Sequence, residues 1–69
     1  MVDHLSNRLR EAREAKGWTQ AQLADKVGVS RKTVNTVENG VFVPSTVIAL
    51  KLALVLDEPV EALFFLVEQ

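Results

Sequence analysis

One short stretch, VSRKTVNTVENG from Val29 to Gly40, concentrates the side chains that could do chemistry: Arg31, Lys32, Thr33, Asn35, Thr36 and Asn39. Val34 and Val37 stand among them at helical spacing, so a helix here turns its valines inward and this polar set outward. The chemistry on offer is recognition rather than catalysis. Arg and Lys suit the paired acceptors on a guanine edge, Asn suits adenine, and Thr can donate, accept or touch a thymine methyl. A helix that needs only solubility commonly carries Glu–Lys pairs four residues apart. Here both charges of the set are positive, in a chain whose net charge is −1. Two cations at a helix start also oppose the positive end of the helix dipole, at a few tenths of a kcal/mol each. A bound polyanion would reverse that cost.

The elements that position this set are marked by strong punctuation. Ser30 can cap the helix, Val29 and Val34 form a hydrophobic staple, and Asn39-Gly40 stops it. Ahead of it, Thr19 and Gln22 form a T-x-x-Q capping box with Trp18 and Leu23 as staple, which starts a helix at Gln20. That helix runs to about Val27 and ends at Gly28. Before these, the spacing of Leu5, Leu9, Ala12 and Ala15 predicts a first helix over roughly Asp3 to Lys16, closed by Gly17. Ser45 caps a fourth helix, apolar almost all round from Val47 to Leu56, which predicts burial on several sides. Asp57-Glu58-Pro59 breaks it, and Pro59 opens a fifth helix to about Val67. No strand alternation or hairpin turn appears. The expectation is an all-α, compact five-helix domain.

Composition narrows the function classes. The 69 residues make one domain, 1–69, at the small end of what folds unaided. There is no Cys and one His, His4, which has no identifiable partner; disulfides are excluded and neither a metal nor a cofactor is expected. With no Tyr and no glycine-rich phosphate loop, an enzyme is not expected. The longest apolar run, Val47 to Leu56, is too short to cross a bilayer, and no signal-peptide layout appears. A cytoplasmic protein with no membrane association and no evident small-molecule ligand is expected. Charge is divided unevenly: residues 1–36 hold seven Lys/Arg against four acids, and residues 37–69 one Lys against five acids. The basic half suits a polyanion.

Two short helices joined by a Gly-containing turn, spanning about residues 20–39, form a helix-turn-helix layout. In that layout the first helix braces across the phosphate backbone and the second lies in the major groove. The stretch GWTQAQLADKVGVSRKTVNTVENG, followed by PSTVIALKLALVL and VEALF, resembles the Xre-like family of phage repressors and Cro proteins, from about Asn7 to Phe64. The resemblance implies a lambda-repressor-like fold whose third helix reads double-stranded DNA, usually as a homodimer on an inverted-repeat operator. It further implies phosphate contacts by the Gln20 side chain and at Asn39, and base reading by Arg31, Lys32 and Thr36, with Thr33 and Asn35 at or near the groove wall; the cap residue Ser30 is expected in the same DNA-binding set. Arg13 and Glu38 match a family ion pair linking the first helix to the third. Two departures stand out. Val41 and Phe42 occupy a loop that often carries a phosphate-gripping cation, and Asp57-Glu58 replaces a common Gly-Val bend.

The tail LFFLVEQ is the second informative place. A fifth helix can turn Leu63 and Phe64 inward but leaves Phe65, Leu66 and Val67 partly outward, an apolar patch that predicts a dimer interface within residues 60–69. The expected function is a sequence-specific transcriptional regulator, a repressor acting as a homodimer, in a prokaryotic or phage, nucleoid-associated setting. The alternative is an antitoxin or other regulator whose main partner is another protein.

Overall fold

The computed structural model describes residues 3–68; residues 1, 2 and 69 lie outside the described part of the expected domain and tail. The chain runs β1 (Asp3–Asn7), α1 (Leu9–Ala15), α2 (Gln20–Val27), α3 (Arg31–Glu38), α4 (Thr46–Leu56), α5 (Val60–Leu63) and β2 (Phe64–Glu68). Five helices carry the domain, as the punctuation predicts. The caps are where the sequence puts them. Thr19 Oγ1 accepts from the Gln22 N–H while Gln22 Oε1 accepts from the Thr19 N–H, at 3.1 and 2.8 Å. Ser30 and Ser45 accept from the N–H groups of Thr33 and Ile48. Gly28 closes α2 at φ 85°, a left-handed turn that sends the chain directly into α3.

The ends of the chain depart from the expectation. Residues 3–7 are a strand rather than the start of α1, and α5 stops after one turn, so Phe65, Leu66 and Val67 lie on a strand and not on a helix. The two strands pair antiparallel, His4 opposite Val67, Leu5 opposite Leu66, Ser6 opposite Phe65 and Asn7 opposite Phe64. The physical reason is shared between them. DHLSN is built of poor helix formers whose short polar side chains compete for backbone groups, and FFLVE is rich in aromatic and β-branched residues. Asn7 then fixes the junction: its Oδ1 accepts from the Leu9 N–H at 3.1 Å and its Nδ2 donates to the Val37 carbonyl at 3.0 Å. The Arg8 N–H donates to the Leu63 carbonyl at 2.9 Å, extending the seam toward the core.

The core gathers Leu9 of α1, Leu23, Ala24 and Val27 of α2, Val34 and Val37 of α3, Leu52 and Leu56 of α4, and Leu63 of α5. Burial at about 25 cal/mol per Å² of apolar surface is what holds elements this short, since helices under about a dozen residues are marginal alone. α4 is not enclosed on several sides as its composition suggests. Leu52 and Leu56 face the core, and the opposite stripe, Val47, Leu50 and Leu54, is exposed, Leu54 by 82%. α4 ends at Asp57, which takes φ 55°, the one left-handed non-glycine among the described residues.

Candidate nucleic-acid interface

Glu38, the only acid of α3, is withdrawn from the helix's outer face. Its side chain has no exposed surface, and Arg13, 11% exposed, meets it with two bonds: Nε to Oε2 at 2.7 Å and Nη2 to Oε1 at 3.2 Å. Arg13 Nη1 also donates to the Trp18 carbonyl at 2.8 Å, so one guanidinium ties α1, the α1–α2 turn and α3 together. Arg10 Nε and Gln20 Nε2 reach Glu38 Oε1 at 3.3 and 3.1 Å. Burial pushes the Glu38 carboxyl up, but the hydrogen bonds from Arg13 and Gln20, the charge of Arg13 and the bond from Arg10 outweigh it and hold the group below the usual carboxylate range. The hydrogen bond to Glu38 in turn raises Arg13, partly offset by its own burial.

A line of amides extends from this hub. Gln20 Nε2 and Asn39 Nδ2 both donate to Asn35 Oδ1 at 3.2 Å, and Arg10 Nη2 donates to Asn39 Oδ1 at 2.9 Å. Of the residues expected to touch nucleic acid, Gln20, Asn35 and Asn39 are therefore brought into one network. Arg31 and Lys32 stand exposed at the start of α3. With Gln20 and Asn35 they line an open groove between α2 and α3. Ser30, Thr33 and Thr36 form a second group whose hydroxyls bond within α3 and its cap: Ser30 Oγ lies 2.9 Å from Thr33 Oγ1, and Thr36 Oγ1 donates to the carbonyls of Lys32 and Thr33.

The sequence reading misses Arg10, the second cation on Glu38, although Arg10 and Arg13 lie three apart on one face of α1. Phe42, which the sequence marks as a departure, sits on a loop bonded to α3 and borders the threonine group. Phe65 is less available than its place in the tail suggests, because the Arg8 guanidinium stacks 4.9 Å from its ring centre, leaving Leu66 and Val67 as the exposed apolar positions of β2. Taken together, α3 offers an outer face with two free cations and no exposed acid, fixed to α1 and α2 by a buried ion pair. Such a face suits a polyanion that also carries hydrogen-bonding edges.

Comparison with known proteins gives concordant results. The sequence profile of the helix-turn-helix family matches residues 9–63. The HTH-type transcriptional regulator YgzD of Bacillus subtilis is 37% identical over 65 residues, covering 94% of this chain and 98% of that protein. An HTH-type transcriptional regulator of Archaeoglobus fulgidus is 43% identical over 60 residues, covering 87% and 86%. Among solved structures, the restriction-modification controller protein C.AhdI of Aeromonas hydrophila is 45% identical and superposes with a TM-score of 0.76, covering 80% of this chain and 83% of that one.

Proposed function

This chain belongs to the Xre-like helix-turn-helix family of DNA-binding transcriptional regulators and has its lambda-repressor-like fold, and from that premise we propose that it is a repressor acting as a homodimer on an inverted-repeat operator. One observation carries the reading: the outer face of α3 holds exposed Arg31 and Lys32 while its only acid, Glu38, is buried and doubly paired with arginine. α3 lies in the major groove, with Arg31 bidentate to a guanine and Lys32 beside it. Asn35, its Oδ1 already occupied, presents Nδ2 to an acceptor such as purine N7. Gln20 serves as a positioning residue. Its amide nitrogen is committed to Asn35 and Glu38, so the phosphate donor at that point is its backbone N–H, at the first position of α2, where no intrahelical partner exists. Asn39 is likewise held by Arg10, and Arg10 brings the cation to that phosphate.

Repression follows from occupancy, because a dimer seated on the operator excludes polymerase. The homodimer is proposed on the apolar surface that the fold leaves uncovered: Val47, Leu50 and Leu54 on α4, with Leu66 and Val67 on β2. The α4 stripe is self-complementary in charge. An antiparallel pairing centred on Leu54 sets Lys51 of each copy opposite Asp57 of the other. No helix among the described residues is long and apolar enough to cross a membrane, and a cytoplasmic site of action accords with the proposal. The test is selection of bound fragments from a random double-stranded pool at about 150 mM salt, where non-specific binding is already weakened. An enriched inverted repeat with half-sites about one helical turn apart is expected. A folded protein that enriches nothing would refute the proposal.

A further inference from the structure

We infer that Thr33, Thr36 and Phe42 form a subsite for the 5-methyl group of one thymine in each half-site. The inference rests on the DNA-binding reading above and narrows it to a single base feature. Threonine is ordinarily counted as a hydrogen-bonding reader, but here both hydroxyls already hold a bond within the protein. Thr36 Oγ1 turns back onto its own helix, toward the carbonyls of Lys32 at 3.0 Å and Thr33 at 3.1 Å. Thr33 Oγ1 is engaged by the cap residue Ser30 at 2.9 Å. The γ-methyl of each is the apolar group it can bring to a ligand.

The loop after α3 completes the apolar wall. The N–H groups of Val41 and Phe42 both donate to the Thr36 carbonyl, at 2.9 and 3.2 Å, which pins the loop against α3. The result is a concavity lined by Ser30, Lys32, Thr33, Thr36, Val41 and Phe42, with Phe42 left 45% exposed. Lys32 lines both this concavity and the groove beside Arg31, so the two adjoin at that side chain on the reading face. A polyanion is the occupant that the charge favours, since the rim carries a cation and α3 exposes no acid. On such a ligand's major-groove edge the thymine methyl is the one apolar group. Phe42 thus stands where a phosphate-gripping cation is common in the resembled family and supplies base discrimination instead.

The unaltered protein is first used to select sites from a random duplex pool, and each thymine of the enriched site is then replaced singly by deoxyuridine, which lacks only the methyl. One thymine per half-site should show about a four-fold loss of affinity, the equivalent of ~0.8 kcal/mol for one buried methyl-sized group. That penalty should vanish in Phe42→Ala and in Thr36→Ser, and persist in Thr36→Val, which keeps a methyl and discards the hydroxyl. Enrichment with no methyl-sensitive thymine overturns this subsite and leaves the DNA reading standing. A methyl penalty that survives Phe42→Ala overturns it too, because the methyl is then read elsewhere. Failure to enrich any site removes both inferences together.

Discussion

Arg13 and Glu38 show how one pair of side chains can serve both folding and recognition. Their bonds lock α1 to α3, and the same bonds remove a negative charge from the helix that faces phosphate. Breaking a buried pair outright costs about 3–5 kcal/mol, comparable to the whole stability of a domain this small, but Arg13→Ala leaves Glu38 the half-exposed Arg10 and Gln20 as partners. Arg13→Ala should therefore be destabilised by less than that full cost, and Arg10→Ala/Arg13→Ala together should be largely unfolded at room temperature by circular dichroism. The pH dependence follows from the lowered Glu38 carboxyl. Its contribution is complete above the ordinary carboxylate value of about 4.3 and is lost as the pH falls through the lower folded value. Melting temperature should drop across that acid window, and Glu38→Gln should flatten this drop while lowering stability at neutral pH. At the reading face, Arg31→Ala should relax preference at one base pair by about 1–3 kcal/mol in competition binding, whereas Gln20→Pro, which removes the backbone N–H at a first-turn position that accepts proline, should weaken all sequences alike. The types and spacing of Arg31, Lys32 and Asn35 were legible as recognition chemistry in the sequence. The commitment of Gln20 and Asn39 to internal bonds was not, because it depends on neighbours that folding brings together from α1, α2 and α3, whereas Thr36 bonds within its own helix.

The helices that carry their own boundary signals are those the sequence predicts best. α2, α3 and α4 begin at capping residues and end at turn residues, and such signals act within three or four positions of the chain. β1 and β2 have no such local mark. Each becomes a strand only because the other, some sixty residues away, supplies its hydrogen-bonding edge, and a helical reading of residues 3–7 overlooked how weakly Asp, Ser and Asn hold a helix. α4 misleads in a different way, since an apolar composition reports a wish for burial without saying by what. Its termination carries a measurable strain. Asp57 sits in the left-handed region at φ 55° with no glycine's freedom. Asp57→Gly should stabilise the domain by about 0.5–1 kcal/mol, visible as a higher denaturant midpoint at unchanged slope.

Across the whole molecule, charge and apolar surface are sorted to different regions. The first 36 residues hold seven of the eight Lys and Arg, and the rest of the chain holds five of the nine acids. Among the described residues the ion pairs are those of Arg10 and Arg13 with Glu38, so Lys51, Asp57 and Glu58 remain available to a second copy. Leu54→Asp should convert the proposed dimer to a monomer in sedimentation and abolish preference for paired half-sites, while each half-site is still bound weakly. A Leu54→Asp protein that remains dimeric would remove α4 from the seam. With three or four phosphate contacts per copy, the affinity of the dimer should fall with salt at a logarithmic slope of about −5 to −7. Non-specific binding should be poor for a protein of net charge −1.

The strand pair has one more consequence, which concerns the order of events during synthesis. β1 leaves the ribosome some sixty residues ahead of β2. Until β2 is free, β1 has no edge to join, and the Arg8 N–H lacks the Leu63 carbonyl that receives it. The helix-turn-helix can collapse on its local signals beforehand, but β1 waits for β2. The strand pair is thus the last part of this domain to assemble, and a chain cut short before β2 would yield a reading head with an unsecured α1.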